Sequence, residues 1–276
     1  MNAVFQTLCA RLKAAGVPDA RFDAAQLYRF VTGRDPRLDD GPTPAEAARL
    51  EKLAARRSAR EPLQYLLGEW DFLDFTLKVG PGVLCPRADT EVVCESAIAL
   101  LQGGQAPVVL DLCAGTGCLG LGIARSCPGA QVTCVEKSEA AWPYLTANTT
   151  GTGVRAVQAD VFRWYQTLPP DSVDLIVSNP PYLTAAEMKA LMPETAHEPA
   201  MALDGGADGL DFYRLLCSRY GTVLRPGGWL VLEIGCAQAQ EVLALGAAYG
   251  WQKGSCRKDY GGNDRVIQLQ KPLQTP

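Results

Sequence analysis

The residues with the most specific chemistry are four in the middle of the chain: Asn179, Pro180, Pro181 and Tyr182. They directly follow the apolar run Val173–Ser178, which predicts a buried strand. Each proline fixes φ and lacks an N–H, so the tetrapeptide cannot continue as a helix or pair in a sheet, and its carbonyl groups are left in a loop. The side-chain oxygen of Asn179 adds another acceptor. Two acceptors held rigidly beside an aromatic ring suit the binding of a planar NH2 group.

A planar NH2 group occurs on amide side chains and on adenine. An enzyme that methylates such a nitrogen has to hold the group still and pack on its flat face. The tetrapeptide therefore predicts a site for nitrogen methylation. Alternatively, the tetrapeptide has only a structural role, as a stiff Pro-Pro turn after a strand.

A second candidate site begins where the predicted strand Val108–Leu112 runs into a turn with two glycines. Glycine allows the backbone to come close to a ligand. The turn consists of Cys113, Ala114, Gly115, Thr116 and Gly117. Glu136 ends the next predicted strand, roughly twenty residues later, where a carboxylate accepts hydrogen bonds from the hydroxyls of a ribose. This pattern predicts a nucleoside site, and the alternative is a purely structural turn.

A turn of this kind binds either a dinucleotide or a sulfonium nucleoside, and three carboxylates near it distinguish between the two. The glycine spacing only loosely matches G-x-G-x-x-G, which places a pyrophosphate at a helix N-terminus. Asp111, just before the turn, would repel phosphates and favour a sulfonium and an α-amino group. Asp160 follows the third predicted strand, where it would accept from the N6 amine of adenine, and Val161 would offer its backbone N–H to the ring. With Glu136, these strand-end residues predict S-adenosylmethionine, and Asn179, which closes the fourth predicted strand, would meet the methyl donor at the same edge of the sheet.

Composition narrows the function classes. The chain has 276 residues and a net charge of −4, so we expect no direct nucleic-acid contact. Its ten cysteines form no C-x-x-C pair and accompany a single histidine, so we expect reduced thiols, no metal site and a cytoplasmic location. The N-terminus lacks the apolar core of a signal peptide, and no stretch approaches the roughly 18 apolar residues of a membrane span, so no membrane association is expected.

The spacing of apolar residues along the chain predicts the helices and strands that position these residues. Residues 1–68 predict a bundle of short helices, with N-caps at Asn2 and Thr43. Residues 69–86 predict a β-hairpin linker. Residues 87–276 predict alternating strands and helices, and hence an α/β domain with a mainly parallel sheet and an antiparallel strand near the end. The predicted strands are Val108–Leu112, Val132–Glu136, Val154–Gln158, Val173–Ser178, Trp229–Ile234, Trp251–Cys256 and Arg265–Leu269.

Four motifs, in this order, resemble those of the peptide chain release factor N5-glutamine methyltransferases, the HemK/PrmC family. Glu61–Gly68 resembles the P-x-Q-Y-L-x-G junction of that family, and Val83–Glu91 resembles its V-L-I-P-R-P-E-T-E segment. Asn179–Tyr182 resembles its substrate loop, and residues 197–210 resemble the stretch after that loop. The sequence departs from the family pattern at Cys85, Ala88, Asp89, Cys113 and Ala114.

This resemblance implies a class I, Rossmann-like methyltransferase domain with a seven-stranded sheet, joined to an N-terminal substrate-docking domain. It implies S-adenosylmethionine-dependent methylation of the glutamine in the Gly-Gly-Gln loop of class-1 release factors. The Asn179 oxygen and the Pro180 carbonyl would accept the two amide hydrogens, and Tyr182 would pack on the amide. Two alternatives stay open. A nucleic-acid adenine-N6 methyltransferase would need a basic face or base-stacking aromatics, and a non-catalytic cofactor-binding protein would bind the cofactor without turnover.

Overall fold

The computed structural model describes residues 2–103 and 106–273. Proximity of Cα atoms groups the chain into two compact units. The first, here called the helical unit, contains the chain up to Trp70 together with Val79–Pro81 and Leu191–His197. The second, the sheet unit, contains Asp71–Lys78, Gly82–Ala190 and the chain from Glu198 onwards. The domain limits predicted at residues 68 and 86 stay a prediction.

The helical unit has four helices: α1 (Ala3–Ala14), α2 (Ala20–Thr32), α3 (Pro44–Ser58) and α4 (Leu63–Leu67). Both predicted N-caps are present. The Asn2 side chain accepts a hydrogen bond from the Phe5 N–H at 2.8 Å, and Thr43 forms a capping box with Glu46 at the start of α3. The short helix α4 is not among the predicted elements. The helices enclose a core of buried side chains that includes Phe5, Leu8, Leu12, Leu27, Tyr28, Leu50, Leu63 and Leu66.

Charged residues are also buried in the helical unit. Arg57 is only 4% exposed, and its guanidinium donates to Asp23 at 2.7 Å and to Glu194 at 2.8 Å. Arg60 binds the same Glu194 carboxylate through two N–H groups, at 2.6 and 2.7 Å. Burial acts to raise the pKa of Glu194, but the hydrogen bonds from Arg60 and Arg57 outweigh it and lower the pKa to about 2. We call Asp23, Arg57, Arg60 and Glu194 the arginine cluster.

The predicted hairpin is a separate two-stranded sheet of β1 (Glu69–Phe72) and β2 (Phe75–Lys78). Strands and helices then alternate along the chain. In order they are α5 (Ala88–Leu100), β3 (Val108–Leu112), α6 (Cys118–Ser126), β4 (Gln131–Glu136), α7 (Trp142–Thr149), β5 (Arg155–Gln158), α8 (Val161–Trp164), β6 (Val173–Ser178), α9 (Asp211–Arg219), β7 (Leu224–Glu233), α10 (Ala239–Ala248), β8 (Gln252–Lys258) and β9 (Asp264–Gln270).

The seven strands β3 to β9 form one sheet in the order β5-β4-β3-β6-β7-β9-β8. All neighbouring strands are parallel up to β7, and β9 runs antiparallel to both β7 and β8. The predicted α/β fold with a seven-stranded sheet is therefore confirmed. Because the chain leaves β3 towards β4 on one side and returns as β6 on the other, the carboxyl ends of β3 and β6 lie at a topological switch point, where open sheets bind ligands.

The fifth predicted strand begins well before its expected start. We expected it to start at Trp229, but β7 already begins at Leu224. The register with β6 shifts between Val173 and Leu175, which accommodates the Pro-Gly-Gly segment as an irregularity. No helix in the described part of the chain is long and apolar enough to cross a membrane.

Candidate active site

A cavity in the sheet unit lies at the carboxyl ends of β3, β4, β5 and β6. Its polar lining includes Thr90, Asp111, Thr116, Glu136, Lys137, Ser138, Asp160 and Asn179, and its apolar lining includes Val83, Leu84, Leu119, Val161, Phe162, Pro181, Met201 and Phe212. Cys113, Ala114 and Gly115 of the glycine turn also line it. The structure thus brings the substrate loop and the cofactor turn together in one cavity.

The glycine turn is held by the carboxylate at the end of β4. Oε2 of Glu136 accepts from the Gly115 N–H at 2.8 Å, and Oε1 accepts from the Ser138 N–H at 2.6 Å. Gly117, in the left-handed region at φ 82°, is the N-cap residue directly before α6 and does not line the cavity. Its positive φ favours glycine, and a Cβ there would also displace a Leu145 methyl group 2.8 Å away.

Cys113 adopts a conformation that favours glycine. Its φ is 60°, in the left-handed region where a side chain costs roughly 1–2 kcal/mol. This is one of the positions where the sequence departs from the family pattern, in which glycine is usual. The turn therefore stores strain at the cavity wall, and the thiol also packs against the core of the sheet unit.

Asp111 is an under-satisfied carboxylate in the cavity wall. It is 1% exposed, and its Oδ2 accepts from the Gly120 N–H at 2.9 Å. Oδ1 is buried and has no hydrogen-bond partner among the described residues. Burial raises the pKa of Asp111 to about 7, against the opposing hydrogen bond from Gly120. An orphaned acceptor of this kind is what a bound ligand with N–H donors would satisfy.

Asp160 and Val161 lie where β5 passes into α8. Asp160 caps α8 by accepting from the Phe162 N–H at 3.0 Å, and it forms an ion pair with Lys137 at 2.9 Å. Burial opposes ionisation of Asp160, but Lys137 and the Phe162 N–H lower its pKa. A carboxylate that stays ionised and lines the cavity is available as an acceptor. Val161 is the first residue of α8 and is buried.

The predicted substrate loop follows β6, and it presents two unused acceptors. Among the described residues, nothing donates a hydrogen bond to the side-chain oxygen of Asn179 or to the Pro180 carbonyl. Asn179 and Pro181 line the cavity, whereas Pro180 and Tyr182 do not. The Tyr182 ring instead packs against the core of the sheet unit. Its predicted contact with a substrate amide stays a prediction.

Contacts with the following chain fix the conformation of this loop. Leu183 and Asp204 form a bridge, in which the Leu183 N–H donates to the Leu203 carbonyl at 2.9 Å. A Cβ on Gly205 would lie 2.7 Å from the Tyr182 Cα, so the approach requires glycine. Gln238 donates to the Tyr182 carbonyl at 3.1 Å. The loop is therefore held on both sides, which preserves the positions of its acceptors.

Sequence reasoning missed several residues around the loop. Thr90 accepts from Nδ2 of Asn179 at 3.3 Å and donates to Oε2 of Glu233 at 2.7 Å. Arg87 forms a two-oxygen ion pair with Glu198, at 2.7 and 2.8 Å. Thr90 and Arg87 lie in a segment that resembles the family, but no local pattern indicates their partners, which are 89 to 143 residues away.

The residues of the cavity fit S-adenosylmethionine. The orphaned Asp111 oxygen suits an ammonium group, Glu136 stands at the end of the neighbouring strand for ribose hydroxyls, and Asp160 remains an ionised acceptor. The apolar lining, including Phe162 and Phe212, suits the adenine and the methylene groups. Where the structure describes the chain, no group of three or more His, Cys, Asp or Glu residues is arranged to hold a metal ion.

Comparison with known proteins identifies two family models within the chain. Residues 3–68 match the PrmC N-terminal domain, and residues 86–206 match the methyltransferase small domain. The fold is also that of a methyltransferase from Pyrococcus furiosus, with a TM-score of 0.52 over 71% of this chain and 89% of that one, at 19% identity. Together with the residues that line the cavity, the match to the methyltransferase small domain identifies the cofactor as S-adenosylmethionine.

Two curated relatives extend over almost the whole chain. The release factor glutamine methyltransferase of Geobacter sulfurreducens is 40% identical over 262 residues, covering 93% of this chain and 91% of that protein. The enzyme of the same name from Gloeobacter violaceus is 41% identical over 260 residues, covering 89% and 90%. At this identity and coverage, the chain belongs to the release factor glutamine methyltransferase family.

Proposed function

We propose that this protein methylates the side-chain amide nitrogen of the glutamine in the Gly-Gly-Gln loop of class-1 peptide chain release factors. The observation that carries the proposal is the pair of unused acceptors on Asn179 and Pro180, rigidly placed beside the cavity. The curated relatives named for this activity support the substrate class.

An amide nitrogen is a poor nucleophile because its lone pair is delocalised into the carbonyl group. The Asn179 oxygen and the Pro180 carbonyl accept the two hydrogens of the glutamine amide, which fixes the plane of the group and makes the nitrogen more electron-rich. When bound, S-adenosylmethionine supplies an electrophilic methyl group on a sulfonium. Alignment and preorganised dipoles account for most of the rate enhancement. No general base has to act first, because the methylated nitrogen loses its extra proton afterwards.

The same proposal gives the predicted cofactor residues individual roles. Asp111 accepts from the α-amino group, Glu136 from the ribose hydroxyls, and Asp160 from the adenine amine. Val161 offers its backbone N–H to the adenine ring. Cys113, Ala114, Gly115, Thr116 and Gly117 form the turn against which the methionine part lies. The tetrapeptide from Asn179 to Tyr182 serves the substrate, and Pro181 and Tyr182 flank the amide.

We also infer that the helical unit docks the release factor and that the protein acts in the cytoplasm. All ten cysteines are unpaired, which fits a reducing compartment. Two phenylalanines of α2, Phe22 and Phe30, are about half exposed, and exposed aromatic side chains commonly anchor protein partners. Replacing both by serine should reduce activity on the intact release factor and leave activity on a peptide of the Gly-Gly-Gln loop unchanged. Equal loss on both substrates would contradict the docking role.

One experiment tests the reaction directly. The protein is incubated with cofactor labelled in its methyl group, with a class-1 release factor and with DNA, and the label is located by mass spectrometry. We expect label only on the glutamine of the Gly-Gly-Gln loop. Label on adenine would establish the nucleic-acid alternative, and cofactor binding without transfer would establish the non-catalytic alternative.

A further inference from the structure

Asn179 is anchored through its amide nitrogen by two hydrogen bonds in series that end on a buried carboxylate. Nδ2 of Asn179 donates to Oγ1 of Thr90 at 3.3 Å, and that hydroxyl donates to Oε2 of Glu233 at 2.7 Å. Thr90 and Glu233 are 1% and 2% exposed. None of the roles given above to cofactor or substrate residues uses Thr90 or Glu233, so this buried pair needs its own explanation.

The protonation state of Glu233 determines which group donates and which accepts in these two hydrogen bonds. An ionised carboxylate only accepts, so Thr90 has to use its single hydroxyl proton on Glu233. Towards Asn179 the hydroxyl then offers only lone pairs, and the Asn179 amide has to present its NH2 group there. A neutral Glu233 removes this constraint. Its own O–H donates to Thr90, the Thr90 proton becomes available for the Asn179 oxygen, and the amide is free to turn over.

We propose that Thr90 and Glu233 are positioning residues that hold the Asn179 amide with its oxygen towards the substrate glutamine and its nitrogen towards α5. This inference rests on the proposed function. A reversed Asn179 would present N–H groups to a substrate nitrogen that is itself a donor. The glutamine amide would then lose one of its two acceptors, and its nitrogen would no longer be aligned for methyl transfer.

The surroundings of Glu233 bring its ionisation into the working pH range. Burial raises the pKa of Glu233 to about 7, while the Thr90 hydrogen bond and Arg265 oppose the rise. The other titratable groups that influence or respond to Glu233 come from several elements: Arg87 and Asp89 at the start of α5, Cys118 of α6, Tyr182 of the loop and Tyr213 of α9. Turnover at saturating cofactor should therefore decline as the pH falls through about 7.

The first test compares two replacements of Thr90 on an intact release factor, with the cofactor concentration varied up to saturation. Thr90→Val keeps the shape and removes the hydroxyl, and we expect kcat to fall on the order of 10-fold while the KM for cofactor is unchanged. Thr90→Ser retains the hydroxyl and should recover most of that loss. Ser96 is a buried hydroxyl of the same helix that donates to the Val92 carbonyl at 2.7 Å. Ser96→Ala is the control for a general loss of helix stability.

The second test uses Glu233→Gln, which has the same shape but does not titrate. Wild type should lose turnover as the pH falls through about 7, and the variant should lack this acidic decline. Measuring kcat at saturating cofactor separates this effect from titration of Asp111, which would appear in the KM for cofactor. Unchanged kcat in Thr90→Val, or an acidic decline that persists in Glu233→Gln, would overturn the inference.

A third measurement does not depend on the release factor. In cofactor-bound protein with labelled asparagine and threonine, an NOE between the Asn179 NH2 protons and the Thr90 methyl group should be present at pH 8 and weaken at pH 6. If wild type fails to methylate the release factor, the proposed function is wrong, and this NOE alone decides whether Thr90 and Glu233 set the amide orientation. Its absence at pH 8 would refute that orientation.

Discussion

The arginine cluster of the helical unit and the cavity of the sheet unit both bury carboxylates, but they treat them differently. In the cluster, the Glu194 carboxylate accepts from two arginines and the Asp23 carboxylate from one. In the cavity, one oxygen of Asp111 and the side-chain oxygen of Asn179 have no hydrogen-bond partner in the part of the chain that the structure describes. Burying a carboxylate costs free energy in both places, and pairing with a cation offsets that cost only in the cluster.

This difference shows in the pKa values. Arginine partners lower the pKa of Glu194 to about 2, whereas burial without a cation raises the pKa of Asp111 to about 7. The cluster therefore pairs both carboxylates with arginines, although burial still raises the pKa of Asp23 against the opposing effect of Arg57. The cavity leaves one oxygen of Asp111 without a partner among the described residues, at a cost in stability that is typical of sites completed by a ligand.

The largest effect should come from breaking the cluster. Arg57→Ala leaves Asp23 buried without its cation, and removing one partner of a buried pair costs about 3–5 kcal/mol. The free energy of unfolding in urea, followed by circular dichroism, measures the loss. Arg56→Ala is the matched control, because the neighbouring Arg56 is half-exposed and its pair with Glu61 should contribute less than about 1 kcal/mol. Equal losses in both variants would contradict a structural role for the cluster.

Removing the unused acceptor of the cavity should affect turnover rather than folding. Asn179→Ala leaves one glutamine N–H unpaired and the nitrogen misaligned, so kcat should fall at least on the order of 100-fold. Cofactor affinity, measured by calorimetry on the same variant, should change much less. Near wild-type turnover on the release factor would overturn the assignment of the substrate loop.

Asn179→Asp sharpens this prediction. Aspartate still accepts from the substrate, but it has no N–H for Thr90 and places a second negative charge near Glu233. We therefore expect turnover almost as low as in Asn179→Ala. High activity of Asn179→Asp would mean that acceptance alone matters and that the Asn179 nitrogen has no orienting role.

A smaller effect is expected for the cofactor carboxylate. Glu136→Ala should weaken cofactor binding by roughly 1.5–3 kcal/mol, the range for hydrogen bonds to a charged group. The variant also releases the Gly115 and Ser138 N–H groups that Glu136 holds. Calorimetry measures the affinity, and Glu139→Ala, an exposed carboxylate three residues further on, should bind normally. A folded Glu136→Ala with unchanged affinity would refute the ribose assignment.

The smallest expected effect, and the only expected increase in stability, comes from replacing the buried carboxylate of Asp111. The folded pKa of Asp111 is raised from 3.8 to about 7, so the penalty is absent below pH 3.8, grows through the interval and is complete above pH 7. In the absence of cofactor, Asp111→Asn should therefore stabilise the protein by about 1–2 kcal/mol at pH 8 and by little at pH 4.5. Thermal unfolding at the two pH values tests this. A variant that is less stable than wild type at pH 8 would show that the ionised Asp111 carboxylate does not destabilise the folded protein.

Much of the fold and the edge of the sheet that carries the site were predictable, because they depend on local patterns. Alternating apolar runs placed all seven strands of the main sheet, with the early start of β7 as the main difference in bounds. Strands that are parallel bring their carboxyl ends to one edge, so Asp111, Glu136, Asp160 and Asn179 were expected together and do line one cavity. Their individual roles stay predictions.

The pairing of distant polar groups was not predictable. Thr90 and Glu233 are 143 residues apart, and Arg57 and Glu194 are 137 apart. Nothing in the spacing of either pair indicates a contact, and charged residues in a helix are usually expected at the surface. Short helix α4 and the packing of the Tyr182 ring on the core also lacked a local signal.

By itself, the sequence determined the types of the elements, their caps, the loop that cannot pair and the acceptors that it carries. These properties follow from φ restrictions, side-chain periodicity and hydrogen-bonding groups within a few residues. Only the tertiary structure decided which carboxylates are paired and which are left for a ligand. Packing decides this, because whether a buried charge has a partner depends on side chains that the fold brings together from distant parts of the chain.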